Sequence, residues 1–413
     1  MTVKNEIAPV NGSRRYIILD ALRGFALLGI CMANFPEFSL YSFLKPEAAA
    51  MLPSAALDFL TKYFIYIFID GKFYTIFSLL FGIGFSIIIS NAASKGRKGL
   101  IIFYRRMLVL LCIGFLHLML LWSGDILMLY ALIGMILPLF MRMKNRGLLI
   151  SASIFLVLPV VVDLVCQYTG IYLSKAIVEW QGVYCDRFGI TEDNFAYWLL
   201  EAKDYDNVFK FLIQGAIVRL QEFVDGNRYF KVLGLFLIGF YIGRNKFYAS
   251  LQLRVGSLKL IRTIGLGAGL PLSVWYAWSC IKGHPWGVGW HSLLYLISVY
   301  ITSFGYIAAI CLLYICRPGM SAWKFFAYPG RMALTNYIGQ SAIGMFIFYG
   351  IGLGFGAYTG LFYVEIIAVC SFLLELVVSR FWLSDFQFGP LEWVWRCLTY
   401  LRIFPLLKRN ESV

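Results

Sequence analysis

Asp20, Arg23 and Asn34 lie in the apolar stretch "LDALRGFALLGICMANF" (19–35), where a helix that only crosses a bilayer has no use for a carboxylate, a guanidinium and a carboxamide. At about 100° per residue the three fall on one helical stripe about 20 Å long. Asp20 and Arg23, an i,i+3 pair, can neutralise each other, with Asn34 hydrogen-bonding a neighbouring helix; equally, the stripe can form one wall of a polar cavity. Asp70 and Lys72 flank Gly71 in "FIDGKFYTIFSLLFGIGFS" (68–86), as interface anchors or as site residues. His117 and Asp125 are joined by a tight turn in "LLCIGFLHLMLLWSGDILMLYALIG" (110–134). A carboxylate that orients an imidazole makes a general base; Asp125 also suits an N-cap, and His117 a structural hydrogen bond.

Near the other end, "PGRMALTNYIGQSAIG" (329–344) puts Asn336, Gln340 and Gly344 at four-residue spacing beside Arg331 and Thr335, more polarity than packing requires. "FGPLEWVWRCLTY" (388–400) reads as a helix start with Glu392 and Arg396 at i,i+4, which suits an interfacial salt bridge in a tryptophan belt. His284 and His291 fall in the loop "GHPWGVGWH" and read as interfacial. Ser78, Gly82, Ser86 and Ser90 recur every four residues, a face for close helix packing.

The elements that must position these residues are membrane helices. The 413 residues are 60% hydrophobic, 18% aromatic and 14% charged, with a mean hydropathy of +0.75. Soluble domains are about 45–50% apolar and about 25% charged. Apolar runs of about 20 residues recur, the length that crosses hydrocarbon as a helix, and nothing alternates as barrel strands do. The expected fold is therefore all-α, a polytopic bundle of about ten spans near 16–38, 66–91, 102–122, 125–141, 148–169, 229–245, 260–281, 291–316, 331–353 and 358–381. The first apolar run carries Asp20 and Arg23 and lacks a cleavage site, so it reads as a span rather than a signal peptide. Residues 1–169 form an N-terminal five-helix part, 170–228 an extracytoplasmic cap with one or two amphipathic helices, and 229–413 a C-terminal part.

Every second loop is rich in Lys and Arg, which places both termini in the cytoplasm. The net charge of +14 is mostly this signal, and no nucleic-acid partner is expected. Nine scattered cysteines without a CxxC pair, and three histidines, give neither a disulfide framework nor a metal site. An ionisable residue inside a span costs about 2.5–3.5 kcal/mol on insertion scales and usually faces the bundle interior, so these residues are the functional candidates.

Taken together, "LDALRGFALLGICMANF", "DGKFYTIFSLLFGIGF", "RRMLVLLCIGFLHLMLLWSGDILMLYALIG" and "GRMALTNYIGQS…FGPLEWVWR" resemble the YeiB-like family of bacterial membrane proteins, which carries a C-terminal domain of unknown function. The likeness covers nearly the whole chain and implies a bacterial cytoplasmic membrane. A more distant likeness joins Asp20, Arg23, Gly24, Asn34 and Asp70 to transmembrane acyltransferases of the heparan-alpha-glucosaminide N-acetyltransferase type. Those proteins have a histidine in the loop after the Asn; here "PEFSLYSFLKPEAAAMLP" (36–53) has none. The resemblance implies acyl-CoA as donor and a glycan or lipid-linked acceptor at the far face. On that reading His117 is the general base, Asp125 its orienting carboxylate and Asn34 a donor to the acyl carbonyl. Asp70 is carried over as a further catalytic residue. Arg23, Arg331 and Arg396 receive the phosphates, and Asp20, Lys72, Asn336, Gln340 and Glu392 line the cavity. The competing classes are a transporter or flippase using the same cavity, and a bundle whose polar residues only hold helices together.

Overall fold

A computed structural model describes residues 16–93, 98–283 and 289–408. The helices, in chain order, are α1 (Ile17–Phe38), α2 (Pro46–Ala50), α3 (Ala55–Phe64), α4 (Lys72–Ala93), α5 (Lys98–Leu120), α6 (Leu127–Ile136), α7 (Asn145–Thr169), α8 (Lys175–Phe188), α9 (Trp198–Glu201), α10 (Tyr205–Asp225), α11 (Arg228–Arg244), α12 (Val255–Gly267), α13 (Gly269–Ile281), α14 (Gly289–Cys316), α15 (Ser321–Arg331), α16 (Ala333–Phe348), α17 (Leu361–Asp385) and α18 (Pro390–Tyr400). Among the described residues, 7 helical runs are long and apolar enough to cross a membrane: Ile17–Phe38, Ala55–Ser90, Gly99–Leu120, Asn145–Thr169, Leu251–Ile281, His291–Cys316 and Leu361–Asp385. The other three expected spans are shorter helices: Leu127–Phe140, α11 with 17 residues and α16 with 16.

One of the long runs is broken where the chemistry-bearing residues lie. A π-helical turn, Ile65–Ile69, ends at Asp70, and Gly71 takes φ +71° before α4 starts at Lys72. Only glycine adopts that conformation without strain, and a Cβ there would also lie 2.6 Å from the Tyr295 hydroxyl. The break gives Asp70 and Lys72 separate directions.

Small residues set the closest approaches. A Cβ on Gly82 of α4 would lie 2.2 Å from Phe236 O, and one on Gly239 of α11 2.1 Å from Leu79 O. Ser86 faces Gly243 in the same seam, while Ser78 turns to the Tyr130 hydroxyl at 2.5 Å. The serine–glycine face is thus mainly a packing surface, as its spacing suggests. The glycine after Arg23 has the same use. A Cβ on Gly24 would lie 1.8 Å from Phe326 O, and one on Gly330 1.9 Å from Asp20 O, so α15 rests directly on α1.

Residues 170–228 form α8, α9 and α10, and α10 packs back onto the bundle: Arg219 is buried, and its Nε donates to Ser123 O at 3.0 Å.

Candidate functional site

α1, α4, α5, α6, α10, α11, α14, α15, α16 and α18 contribute to the wall of one cavity of about 460 Å³. On α1 its wall is Arg23, Ile30, Asn34 and Glu37, spaced seven, four and three residues apart on one face of the helix, with Ala33 beside them. Arg23 to Glu37 spans about 20 Å of helix rise, so the cavity has two distinct ends with Phe73, Phe77, Phe81 and Phe85 among the apolar residues between them.

The first end carries Arg23, Arg106, Arg331 and Arg396. Arg23 Nη1 donates to Asp20 Oδ1 at 2.7 Å, so the ion pair and the cavity wall, alternatives in the sequence, coexist. The Arg106 guanidinium lies 3.9 Å over the Trp395 ring, and Trp395 Nε1 donates to Arg106 O at 2.8 Å. Arg331 Nη2 reaches Gln387 O at 3.5 Å, and Arg396 stands 4.1 Å from the Phe388 ring centroid. The salt bridge expected between Glu392 and Arg396 is replaced by a helix cap. Glu392 Oε1 accepts from Leu334 N at 2.7 Å and Thr335 N at 3.1 Å, and Oε2 from Thr335 Oγ1 at 2.5 Å. The first turn of α16 supplies orphan N–H groups that the carboxylate satisfies. Burial nevertheless pushes the Glu392 carboxyl above its ordinary value, with those donors acting against the rise.

The second end is mixed in charge. Asn34, Glu37, Asp70, Arg219, Arg228 and Lys231 all line it. Arg219 Nη2 lies 3.5 Å from Glu37 Oε2 and also pairs with Glu222, which Arg228 Nη2 approaches to 3.4 Å. Asp70 Oδ2 accepts from the Tyr276 hydroxyl at 2.8 Å. The Asn34 carboxamide faces the cavity without a hydrogen-bond partner among the described residues.

Six of the expected site residues lie off the cavity wall, Asp20 among them, buried and held by Arg23. His117 and Asp125 do meet, Nδ1 to Oδ1 at 2.9 Å, but both side chains are fully buried and neither reaches the cavity. A carboxylate only accepts, so Nδ1 donates to Asp125, and a neutral ring then accepts at Nε2 from Ser341 Oγ, 2.9 Å away. Asp125 Oδ2 accepts from Met128 N at 2.8 Å and so caps α6 as well. Trp122, Gly124, Ile126 and Tyr337 form the wall in front of the pair. Lys72 is wholly buried, its Nζ donating to Tyr66 O at 2.6 Å. Asn336 Nδ2 donates to Ser379 Oγ at 2.9 Å and Gln340 Nε2 to Glu375 Oε2 at 2.9 Å, so both face α17 rather than the cavity. His291, expected in a loop, is buried in α14 with Nδ1 3.1 Å from Ser279 Oγ; His284 lies outside the described residues.

Glu37, Arg106, Arg219, Arg228 and Lys231 were not singled out by sequence reasoning. For Glu37 a signal existed, since it continues the Arg23–Asn34 stripe by one turn. Arg106 likewise shares a face with Phe103, Met107 and Leu110 but reads as an orientation charge. The three cations of α10 and α11 reach the cavity only through tertiary packing. Chemically, the arginine end suits phosphate oxygens, the middle suits an apolar chain, and the far end offers carboxylates as proton acceptors beside a free carboxamide donor.

Residues 242–402 match the family described as "Protein of unknown function (DUF418)". Over 98% of this chain and 100% of its own length, the uncharacterized protein YxaH of Bacillus subtilis is 30% identical. An uncharacterized 39.9 kDa protein in the amylase 3' region of Bacillus acidopullulyticus is 29% identical over 98% of this chain and 99% of its own. The uncharacterized protein YeiB of Escherichia coli is 28% identical over 96% and 99%. No solved structure matches the chain. With seven apolar helices of spanning length and relatives aligned end to end, the chain belongs to the YeiB-like family of bacterial multi-pass membrane proteins.

Proposed function

We propose that the protein is a membrane acyltransferase that moves an acyl group from acyl-CoA to an extracytoplasmic or lipid-linked cell-envelope acceptor. One observation carries the reading: a single cavity joins an arginine-lined end to an end bearing Asn34, Glu37 and Asp70 through an aromatic middle. Basic loops favour the arginine end on the cytoplasmic side of the inner membrane, with both termini there and α6, α11 and α16 completing ten spans. Arg23, Arg106, Arg331 and Arg396 would bind the donor's phosphates, and the acyl thioester would lie along the phenylalanines. Glu37 or Asp70 takes the proton of the acceptor's hydroxyl or amine as that atom attacks the thioester carbonyl. The Asn34 amide donates to the oxyanion; collapse breaks the carbon–sulfur bond, and the CoA thiolate leaves and is protonated. The base role expected of His117 passes to a carboxylate, because His117 is fully buried with Nδ1 and Nε2 both engaged.

The test uses purified protein in lipid nanodiscs. Wild type binds acyl-CoA, Arg331→Ala and Arg396→Ala weaken that binding, and Glu37→Gln combined with Asp70→Asn leaves binding while removing transfer. A wild-type protein that binds no acyl-CoA sinks the reading. One observation favours a transporter or flippase instead: cations line both ends of the cavity, Arg219, Arg228 and Lys231 standing opposite the arginine cluster. That reading expects flux without a covalent product, reduced by Asp70→Asn.

A further inference from the structure

On the side of α1 away from the cavity, α17 carries two carboxylates inside its spanning run, Glu365 and Glu375, each 6% exposed. They are ten residues apart, about 15 Å of helix rise, and Glu375 falls near the middle of the 25-residue helix. Neither oxygen of Glu365 has a hydrogen-bond partner among the described residues, and neither does Oε1 of Glu375. The fourth unpartnered acceptor in this seam is Oε1 of Gln340, a residue 1% exposed whose Nε2 donates to Glu375 Oε2 at 2.9 Å.

Among the described residues the surroundings offer no cation. From α1 the facing titratable group is Cys31, whose Sγ donates to Ala368 O at 3.4 Å. From α16 come Gln340 and Asn336, both neutral, the latter directed to Ser379. From α3 comes Asp58, an acid that accepts from Phe362 N at 2.9 Å at the start of α17. α15 presents Phe325, over which Arg380, the nearest cation of α17 itself, lies at 5.7 Å. An anion with two buried, donorless oxygens in a membrane helix is untenable, since desolvation costs several kcal/mol and nothing offsets it. Hydrogen-bond arithmetic gives the remedy: acceptors exceed donors, and one proton on each carboxyl supplies a donor and removes the charge.

We propose that Glu365 and Glu375 are two proton-binding sites in the α1–α16–α17 seam, occupied at neutral pH. A metal cation is a poor occupant, because the separation along α17 denies it a second carboxylate and a hard cation seeks about six oxygen ligands. The inference is independent of acyl transfer and holds for either functional reading.

Infrared spectra of the full chain in nanodiscs test it. A protonated-carboxyl carbonyl band is expected at neutral pH, shifted in deuterium oxide and weakened by Glu365→Gln and by Glu375→Gln, each removing one component. Glu365→Asp and Glu375→Asp, which keep the acid, should move a component without deleting it, and cover the case in which a Gln variant fails to fold. Absence of the band at neutral pH overturns the proposal, as does a band indifferent to all four substitutions. So does its loss when sodium chloride is added at fixed pH, which would assign the sites to a metal cation.

Discussion

α1 separates two polar neighbourhoods that treat carboxylates in opposite ways. On its cavity side, Asp20 lies against Arg23, and Glu37 against Arg219. On its α17 side, among the described residues, Glu365 has no donor and Glu375 has a single amide. The cavity side tolerates ions because each carboxylate has a guanidinium beside it, Asp20 with its side chain 6% exposed as much as Glu37 at 36%. The seam is closed, so charge there must be removed rather than matched. Acidic residues of one membrane protein therefore divide by partner, into those that act as ions and those that act as acids.

Placing a cation in the seam breaks the comparison most severely. Glu375→Lys should cost about 4 kcal/mol or more, because a buried ammonium would meet no anion that is itself stable there, whereas Glu375→Gln should stay within about 1 kcal/mol. Recovery of monodisperse protein and its thermal midpoint report both; equal losses would show that the seam carries an ion after all. On the cavity side, Arg219→Ala should cost about 3 kcal/mol, since it strands Glu37, leaves Glu222 to Arg228 alone and removes the donor to Ser123 O. A double variant, Arg219→Ala with Glu37→Gln, should recover part of that loss, and failure to recover any would mean the pair is not coupled. His117→Ala should cost about 2 kcal/mol by leaving Asp125 and Ser341 without their ring partner. Acyl-CoA binding to the folded fraction should be unchanged, and a loss of binding at full stability would move His117 into the site. The smallest effect is Arg331→Ala, with stability unchanged and acyl-CoA affinity about tenfold weaker, about 1.4 kcal/mol, read by titration calorimetry.

Much of this was legible in the residues. Long apolar runs announce membrane helices, the four-residue serine and glycine spacing announces the α4–α11 seam, and the Asp20–Arg23–Asn34 stripe lies beside the cavity. Periodicity reports which residues share a face, but not what the face meets. Asn336 and Gln340 stood out as polar residues of one helix, and only packing reveals that they turn to Ser379 and Glu375. The His117–Asp125 contact follows from a short turn, yet the wall of Trp122 and Tyr337 that closes it off comes from residues far apart in sequence. Arg219 and Lys231 belong to elements that carry no motif and reach the cavity through tertiary contacts alone.

The docking of α18 bears on how the chain is made. Glu392 caps α16, Trp395 braces Arg106, and Arg396 lines the arginine end, all from an eleven-residue helix that follows α17. During synthesis every long apolar helix emerges before this segment does, so the arginine end is finished last. A stop codon just before Pro390 would leave a chain with its spanning helices intact but with α16 uncapped and one wall of the cavity missing. Such a product should insert and accumulate yet bind nothing at that end, and an affinity tag fused close behind Tyr400 would crowd the same wall.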